Sequence, residues 1–218
     1  MTGVVDLGMC TAYKVGPKGH ASENSGFGNT LASILGESAP RIVRPTHKAP
    51  VVMPGGSIRE MTWGFRRKVP AVKSKTRWQT IVNSREDKLG GRTWSEAFQE
   101  RRCVVPAFSF FEWVKDSTGM VPLEFEDSSQ RMLWIAGIWE NDEDRGEVFS
   151  MITTDPNTIV SPVHDRMPAV LSPHQIRPFL DLELHEFGPT TVPLAFTEAE
   201  NFLTPKKSKP ASPQGELF

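Results

Sequence analysis

Seven short runs of β-branched, aromatic and other apolar residues recur along the 218-residue chain, and they constrain its fold more than any other feature. Glycines, prolines and acidic residues separate the runs, and few helix-length patterns lie between them, which favours antiparallel pairing over βαβ units. We therefore predict a single α+β domain, mostly antiparallel β, with a barrel-like sheet core and a few flanking helices. The runs cover residues 49–53, 80–82, 103–105, 108–114, 121–125, 132–139 and 148–154.

Two segments carry the start signals of helices. Thr93-Trp94-Ser95-Glu96 has the spacing of a capping box, in which a threonine and a glutamate satisfy each other's backbone N–H groups. Ser172-Pro173 offers a cap residue followed by a proline at the first helical position. We predict a helix after each of them.

Composition sets the limits of the domain. After Leu203 the chain is dominated by lysine, proline and serine, a mixture that cannot bury a core. We expect a flexible leader at residues 1–8, a folded domain at 9–203 and a disordered tail at 204–218.

No apolar run approaches the roughly 20 residues of a membrane span, and the N-terminus lacks the layout of a secretion signal. These features predict a cytoplasmic protein without membrane contact, and we expect a monomer.

The two cysteines, Cys10 and Cys103, are expected to be reduced thiols, because a chain of this size in a reducing compartment needs no disulfide. That expectation leaves Cys10 free for chemistry. The sequence lacks clustered Cys/His ligand spacing and any phosphate-cradling glycine loop. We therefore expect neither a metal nor a nucleotide cofactor.

A net charge of -1 conceals two oppositely charged stretches. Residues 59–92 contain ten Lys/Arg and three Asp/Glu, a net charge of +7, whereas residues 112–147 contain three Lys/Arg and ten Asp/Glu, a net charge of -7. The basic stretch also carries Trp63, Phe65 and Trp78, and cations mixed with rings suit single-stranded nucleic acid. Under this interpretation Arg77 contacts DNA and the acidic stretch faces away from it; the alternative is an ordinary solvated surface.

Several short motifs, specific in combination, extend from about Cys10 to Leu180. Together they resemble the SOS-response-associated peptidase (SRAP) family, whose members trap abasic sites in single-stranded DNA through an N-terminal cysteine. The motifs are Met9-Cys10, Asn83-Ser84-Arg85, Arg102-Cys103-Val104-Val105-Pro106, Ser109-Phe110-Phe111-Glu112-Trp113, Ala136-Gly137-Ile138-Trp139, Thr153-Thr154 and His164-Asp165-Arg166-Met167-Pro168.

The resemblance implies that Cys10 is the nucleophile. A cysteine at a free N-terminus offers an amine and a thiol to the same aldehyde carbon, and the two close a thiazolidine ring. Eight residues precede Met9, so the amine is free only if translation starts at Met9 or if the leader is cleaved. The peptidase in the family name makes self-cleavage with Glu112 conceivable. The alternative for Cys10 is a small buried apolar residue.

The resemblance assigns catalytic roles to three further residues. Glu112 would deprotonate the Cys10 amine, and its aromatic neighbours are of the kind that raise a carboxylate's pKa. Asn83 would hydrogen-bond the cysteine's backbone and amine. His164 would donate a proton to the sugar oxygen as the abasic ring opens, since histidine exchanges protons near neutral pH. The alternatives are an outward-facing strand residue for Glu112, a turn residue for Asn83 and a structural histidine for His164.

The resemblance also implies DNA contacts. Arg85 and Arg166 match phosphate-binding arginines, and Trp63-Gly64-Phe65 retains the apolar pair expected to wedge against bases. The chain departs from the family pattern in three places. Thr11-Ala12 replaces the usual Gly-Arg after the cysteine, Ser109 replaces a glycine, and the usual proline-tryptophan pair is absent around residues 69–71.

The last five residues, Gln214-Gly215-Glu216-Leu217-Phe218, resemble the bacterial sliding-clamp-binding peptide. In that peptide a glutamine is followed by a leucine and a phenylalanine that fill an apolar pocket. A docking peptide works well at the tip of a polar linker, which suggests the clamp as a partner of Gln214, Leu217 and Phe218. The alternative is an ordinary apolar end to a tail.

Three functions follow from these features. The first is covalent capture of abasic sites in single-stranded DNA through Cys10, protecting the lesion during replication or the SOS response in a nucleoid-associated protein. The second is a cysteine-dependent peptidase, autoprocessing or otherwise, that uses Cys10, Glu112 and His164. The third is a DNA-binding module in which Cys10 does not react. The position of the mature N-terminus discriminates between them.

Overall fold

The computed structural model describes residues 11–16, 40–70, 76–117 and 119–202. Cys10, the leader at 1–8 and the proposed clamp motif of Gln214, Leu217 and Phe218 lie outside these ranges. Strands dominate the described chain. They are β1 Tyr13–Val15, β2 Arg41–Val43, β3 Lys48–Val52, β4 Ile58–Trp63, β5 Phe65–Pro70, β6 Thr76–Ile81, β7 Asn83–Arg85, β8 Arg102–Ala107, β9 Ser109–Lys115, β10 Met120–Asp127, β11 Leu133–Asp142, β12 Gly146–Thr154, β13 Met167–Pro168, β14 Val170–Leu171 and β15 Leu194–Glu198.

Five of these strands close into a ring. β12 pairs with β4, β4 with β3, β3 with β8, β8 with β11, and β11 returns to β12. β7 and β13 add to β12, and β14 adds to β11. Pairing is antiparallel except where β12 meets β4 and β7. The predicted α+β class, mostly antiparallel with a barrel-like core, is confirmed.

A second, five-stranded antiparallel sheet has the order β15-β10-β9-β1-β2. Alternate residues of its strands bury one face against the ring, as the two-residue period of a strand requires. The shared core contains Tyr13 and Phe110 from this sheet and Trp63 and Phe149 from the ring, none of them exposed. This core holds the five-stranded sheet, with β1 and β9, against β4 and β12.

β5 and β6 form a separate two-stranded ribbon, paired from Phe65 with Ile81 to Pro70 with Thr76. Gly64 joins β4 to β5 at a φ of 120°, a backbone conformation that favours glycine. At the other end, β6 continues through Val82 into β7. The ribbon is therefore connected directly to strands of the ring.

The two described α-helices, α1 Ser95–Glu100 and α2 Pro173–Leu180, cover a second apolar cluster. The predicted start of α2 is confirmed, because the Gln175 side chain accepts a hydrogen bond from the Ser172 N–H at 3.0 Å. The predicted capping box at Thr93 is wrong. Its helix begins after a turn in which the N–H groups of residues 94 and 95 both donate to the Gly91 carbonyl, and no side chain caps it.

Arg102, the arginine of the Arg-Cys-Val-Val-Pro motif, fastens both helices to the ring. Its guanidinium is buried and donates to the carbonyls of Phe98, Phe179 and Leu184. Burial lowers the pKa of Arg102 to about 10. This motif residue is therefore structural.

No helix in the described part of the chain is long and apolar enough to cross a membrane.

Candidate functional site

Glu112 lies in the middle of β9 and is 2% exposed. Its strand pairs with β10 on one side, where Leu123 is opposite Glu112, and with β1 on the other. The Phe111 N–H donates to the Ala12 carbonyl at 3.0 Å, and the β1 register continued by two residues sets Thr11 opposite Glu112. The described chain thus begins beside Glu112. The outward-facing alternative for this glutamate is wrong.

An aromatic cluster flanks the same strand. The ring of Phe202 lies 4.9 Å from Phe111 and 5.8 Å from Trp113, centroid to centroid, with edge-to-face geometry. The segment before Phe202 is held along β10, where the Ala199 N–H donates to the Pro122 carbonyl at 2.9 Å. The end of the described chain therefore packs on the strand that carries Glu112.

Asn83 is the first residue of β7 and is 7% exposed, so it is a buried strand residue and not the turn residue of the alternative interpretation. β7 runs parallel to β12, with Asn83 opposite Met151. One residue further, the hydroxyls of Ser84 and Ser150 are hydrogen-bonded at 2.7 Å. Two strands therefore fix the backbone that presents Asn83.

Trp63 and Phe65, predicted to contact bases, are both fully buried, and that prediction is wrong for this conformation. The Trp63 ring packs edge-on against Tyr13 at 5.1 Å, and its indole N–H donates to the Val82 carbonyl at 3.0 Å. Phe65 packs against Trp94 under α1. Trp63 thus connects β1 to the residue before Asn83, which makes it a support of the site from within.

His164 lies in the loop after β12, with 17% of its side chain exposed. Its Nδ1 accepts a hydrogen bond from the Arg166 backbone N–H at 3.1 Å, so the neutral ring carries its proton on Nε2. The Asp165 carboxylate is also 3.1 Å from Nδ1, where it would stabilise the protonated ring. The loop therefore orients His164 with Nε2–H as the available donor.

Arg166 is 6% exposed and is held by groups of the same region. It pairs with Asp155 at 2.6 Å and donates to the Thr153 carbonyl at 2.5 Å. Thr153 in turn lies opposite Arg85 in the pairing of β12 with β7. The two arginines that resemble phosphate-binding residues are therefore anchored to neighbouring strands.

Asp87 connects these two arginines. Arg85 donates to both carboxylate oxygens of Asp87 at 3.0 Å, and Nη2 of Arg166 is 3.8 Å from the same carboxylate. The hydrogen bond from Arg85 lowers the pKa of Asp87, and the reciprocal bond raises that of Arg85. No sequence motif indicated Asp87. The spacing of two residues from Arg85 was the available signal.

The acidic stretch, expected to face away from the DNA, is paired in part with the basic stretch. Arg59 pairs with Glu147 at 2.6 Å, Arg67 with Glu140 at 2.5 Å, and Arg66 with Asp144. These carboxylates lie on β11, β12 and the turn between them. Strand pairing therefore brings these parts of the two stretches together.

Cys103 is fully buried in β8, opposite Gly137 of β11. Burial raises the pKa of the Cys103 thiol, which suppresses the reactive thiolate. It is a free thiol, as expected. Cys103 is therefore unsuited to act as the nucleophile that the sequence predicts, and Cys10 is the only other cysteine of the chain.

Solved structures with the same arrangement define the class of fold. A protein from Bordetella bronchiseptica superposes with a TM-score of 0.64 at 16% identity, covering 88% of this chain and all of that one. A protein from Bacteroides thetaiotaomicron gives a TM-score of 0.61 at 22% identity over 73% of this chain and 78% of that one. At these identities the likeness establishes the fold alone.

The family model described as SOS response associated peptidase (SRAP) matches residues 9–204, and the chain belongs to this family. Abasic site processing protein YoqW of Bacillus subtilis is 26% identical over 148 residues, which are 64% of this chain and 65% of that protein. Abasic site processing protein HMCES of Xenopus tropicalis is 30% identical over 133 residues, 50% of this chain and 39% of that protein. The chain thus spans less than two thirds of the length of these relatives.

Proposed function

We propose that the protein recognises abasic sites in single-stranded DNA and captures them covalently through Cys10, protecting the lesion during replication or the SOS response. The names of the relatives support the substrate. One structural observation carries the mechanism. Glu112 is buried, and its neighbour Phe111 is hydrogen-bonded to Ala12, two residues after Cys10 in the sequence.

The capture joins one aldehyde to two groups of one residue. The abasic sugar opens from its hemiacetal to the aldehyde, and the Cys10 amine nitrogen adds to the carbonyl carbon. Loss of one water gives an imine, and the thiolate sulfur then adds to the same carbon while the nitrogen takes a proton. The product is a thiazolidine, equal in mass to protein plus DNA minus one water. No oxidant, metal or cofactor is needed.

Three side chains serve this sequence of steps. Glu112 accepts the proton that the Cys10 amine must lose before it attacks, and exclusion of water keeps its carboxylate from being solvated. Asn83, fixed in β7, hydrogen-bonds the cysteine and orients its amine. His164 in its protonated form, with Nδ1 facing the Asp165 carboxylate, donates its Nε2 proton to the ring oxygen as the sugar opens and becomes the neutral imidazole.

Arg85 and Arg166 hold the phosphates beside the lesion. Arg85 is the more accessible, with 40% of its side chain exposed, whereas Arg166 binds through a largely buried guanidinium. Arg77 extends the positive charge along β6. Because these contacts are to the backbone, affinity falls with rising salt and depends little on base sequence.

The test is cross-linking of the purified chain to single-stranded DNA that contains one abasic site. A chain that starts at Cys10 is expected to give a heat-stable, stoichiometric band on a denaturing gel and the mass of a condensation product. Cys10→Ala keeps an N-terminal amine but lacks the sulfur, so only an imine that heat hydrolyses should form. Cys103→Ala is the matched control and should cross-link normally, because Cys103 is buried.

The same samples discriminate the other functions. A chain with residues 1–9 attached has no free Cys10 amine, and it should cross-link only after these residues are removed, as intact mass reports. Removal that depends on Cys10 would add autopeptidase activity of Cys10, Glu112 and His164. Durable cross-linking by Cys10→Ala would contradict the thiazolidine.

A further inference from the structure

Trp78 is the one aromatic residue of the basic stretch that lies on the surface, and 53% of it is exposed. It faces Lys68 across the β5–β6 ribbon, and the next pair on the same face is Arg66 with Thr80. We call the face formed by Arg66, Lys68, Trp78 and Thr80 the ribbon surface. It stands apart from the site around Glu112.

The Trp78 ring is held in place by a fixed arginine. The Arg66 guanidinium carbon lies 4.2 Å from the ring centroid and the Lys68 ammonium 5.0 Å from it. Arg66 is itself anchored, because it pairs with Asp144 and lies 3.9 Å from an Asp142 oxygen. Because the exposed Trp78 ring is already ordered, its side chain loses less conformational entropy when a ligand binds to it.

The charge of the ribbon favours an anionic partner. β5 and β6 carry four Lys/Arg and no Asp/Glu. Arg66 and Arg67 are paired with carboxylates, whereas Lys68 and Arg77 form no ion pair within the described ranges. Lys68 lies beside the exposed, ordered ring, and a cation next to such a ring is the combination that binds a DNA single strand, in which a phosphate meets the cation and a base stacks on the ring.

The ribbon continues into the site. β6 runs through Val82 into β7, so Trp78 precedes Asn83 by five residues, about 17 Å along an extended strand. We infer that Trp78 stacks on a base of the DNA single strand a few nucleotides from the abasic site, with Lys68 on an adjoining phosphate. This inference rests on the proposed function for its substrate and adds a second contact region to it.

The test measures equilibrium binding of a labelled, undamaged DNA single strand by fluorescence anisotropy. Trp78→Ala is expected to weaken binding about five- to one-hundred-fold, the range for loss of one stacked base. Trp78→Phe should restore most of the affinity, because a phenyl ring also stacks. In the wild type, DNA should quench tryptophan emission, and Trp78→Phe should remove most of that quenching.

Phe196→Ala is the matched control, an exposed aromatic residue on β15 of the other sheet, and it should bind as the wild type does. Equal losses from the two alanine variants, or no loss from Trp78→Ala, would overturn the inference. So would an equal loss on the corresponding duplex, where no base is free to stack. Undamaged DNA cannot cross-link, so this test is independent of Cys10. Trp78→Ala should also still cross-link abasic DNA at saturating concentration.

Discussion

Asp87 occupies the position at which a DNA phosphate would meet Arg85. It accepts two hydrogen bonds from that arginine, and its pKa lies below the ordinary 3.8, so the carboxylate is ionised at any pH at which the protein would bind DNA. The pairing is lost only as the pH falls below that ordinary value. If Arg85 binds phosphate as proposed, the carboxylate therefore competes with that phosphate.

Asp87→Asn is expected to tighten binding of a DNA single strand about two- to fivefold at neutral pH, the range for exposed ion pairs. The salt dependence of the affinity should become steeper, since Arg85 then releases a counterion that Asp87 had replaced. Salt titrations by anisotropy measure both effects. Asp181→Asn, which removes an aspartate–arginine pair of α2, should change neither. Weaker binding by Asp87→Asn would indicate that Asp87 positions Arg85 instead.

The three aromatic residues of the basic stretch show where local sequence stops predicting a site. Trp63, Phe65 and Trp78 have similar neighbours in sequence, yet the first two are fully buried and the third is exposed. Whether each of these side chains is buried depends on partners elsewhere in the chain, such as the Val82 carbonyl that accepts a hydrogen bond from Trp63. Glu112 and Asn83 were singled out because several motifs specified them together, and their roles stay predictions; Asp87 belongs to no motif.

Among the elements, the junction between β4 and β5 depends on Gly64. A Cβ built at this glycine would lie 2.3 Å from Cγ2 of Thr80 and 3.2 Å from Cγ1 of Val82, and its φ of 120° disfavours any other residue. The close approach exists because β5 folds back beside β6. That close approach sets the course of the β5–β6 ribbon and of β7, the strand that carries Asn83.

Gly64→Ala is expected to lower the free energy of unfolding by about 2–4 kcal/mol, the sum of backbone strain and overpacking. Urea unfolding followed by tryptophan fluorescence measures the loss. Gly55→Ala separates the two causes, since Gly55 also has a positive φ, 77°, but nothing lies within 4 Å of its Cβ position. It should lose about 1 kcal/mol. A Gly64→Ala loss no larger than that would show that Thr80 and Val82 move aside.

Strand content was predictable because burial on one face imposes alternation, and each of the seven predicted runs lies in a strand apart from at most one residue at an end. The run at residues 80–82 spans the end of β6 and the approach to β7, which no local pattern separates. β13 and β14 have two residues each, too few for periodicity to be visible. Ring closure through the parallel pairing of β12 with β4 depends on residues 86 positions apart, Thr62 and Val148, and has no local signal.

Across the whole molecule, the two oppositely charged stretches neutralise each other through Arg59, Arg66 and Arg67. The positive charge available to DNA is therefore smaller than the sequence count of +7 suggests, and within the described residues it remains at Lys68, Arg77, Lys88 and Arg92, which form no ion pair there. We therefore expect a modest affinity for undamaged DNA. Under the proposed covalent capture such an affinity is sufficient, because the adduct does not depend on a long residence time.

The segment that ends at Phe202 is fixed to β9 and β10, so the sixteen residues after it start from the sheet that carries Glu112. Fully extended, sixteen residues reach at most about 55 Å. A clamp-binding peptide of Gln214, Leu217 and Phe218 at the end of that length could hold the catalytic domain within reach of DNA at a replication fork. This is the basis on which we propose the sliding clamp as a partner.

Leu217→Ala combined with Phe218→Ala is expected to abolish binding to a purified bacterial sliding clamp, because apolar anchors dominate the affinity of short peptides. Cross-linking of free abasic DNA should be unchanged, since the anchors are remote in sequence from the site. Lys206→Ala combined with Lys207→Ala is the matched control and should retain clamp binding at moderate salt. Titration of the clamp against a peptide of residues Lys206 to Phe218 isolates the motif from the domain. If that peptide does not bind at high micromolar concentration, the clamp is not a partner of this tail.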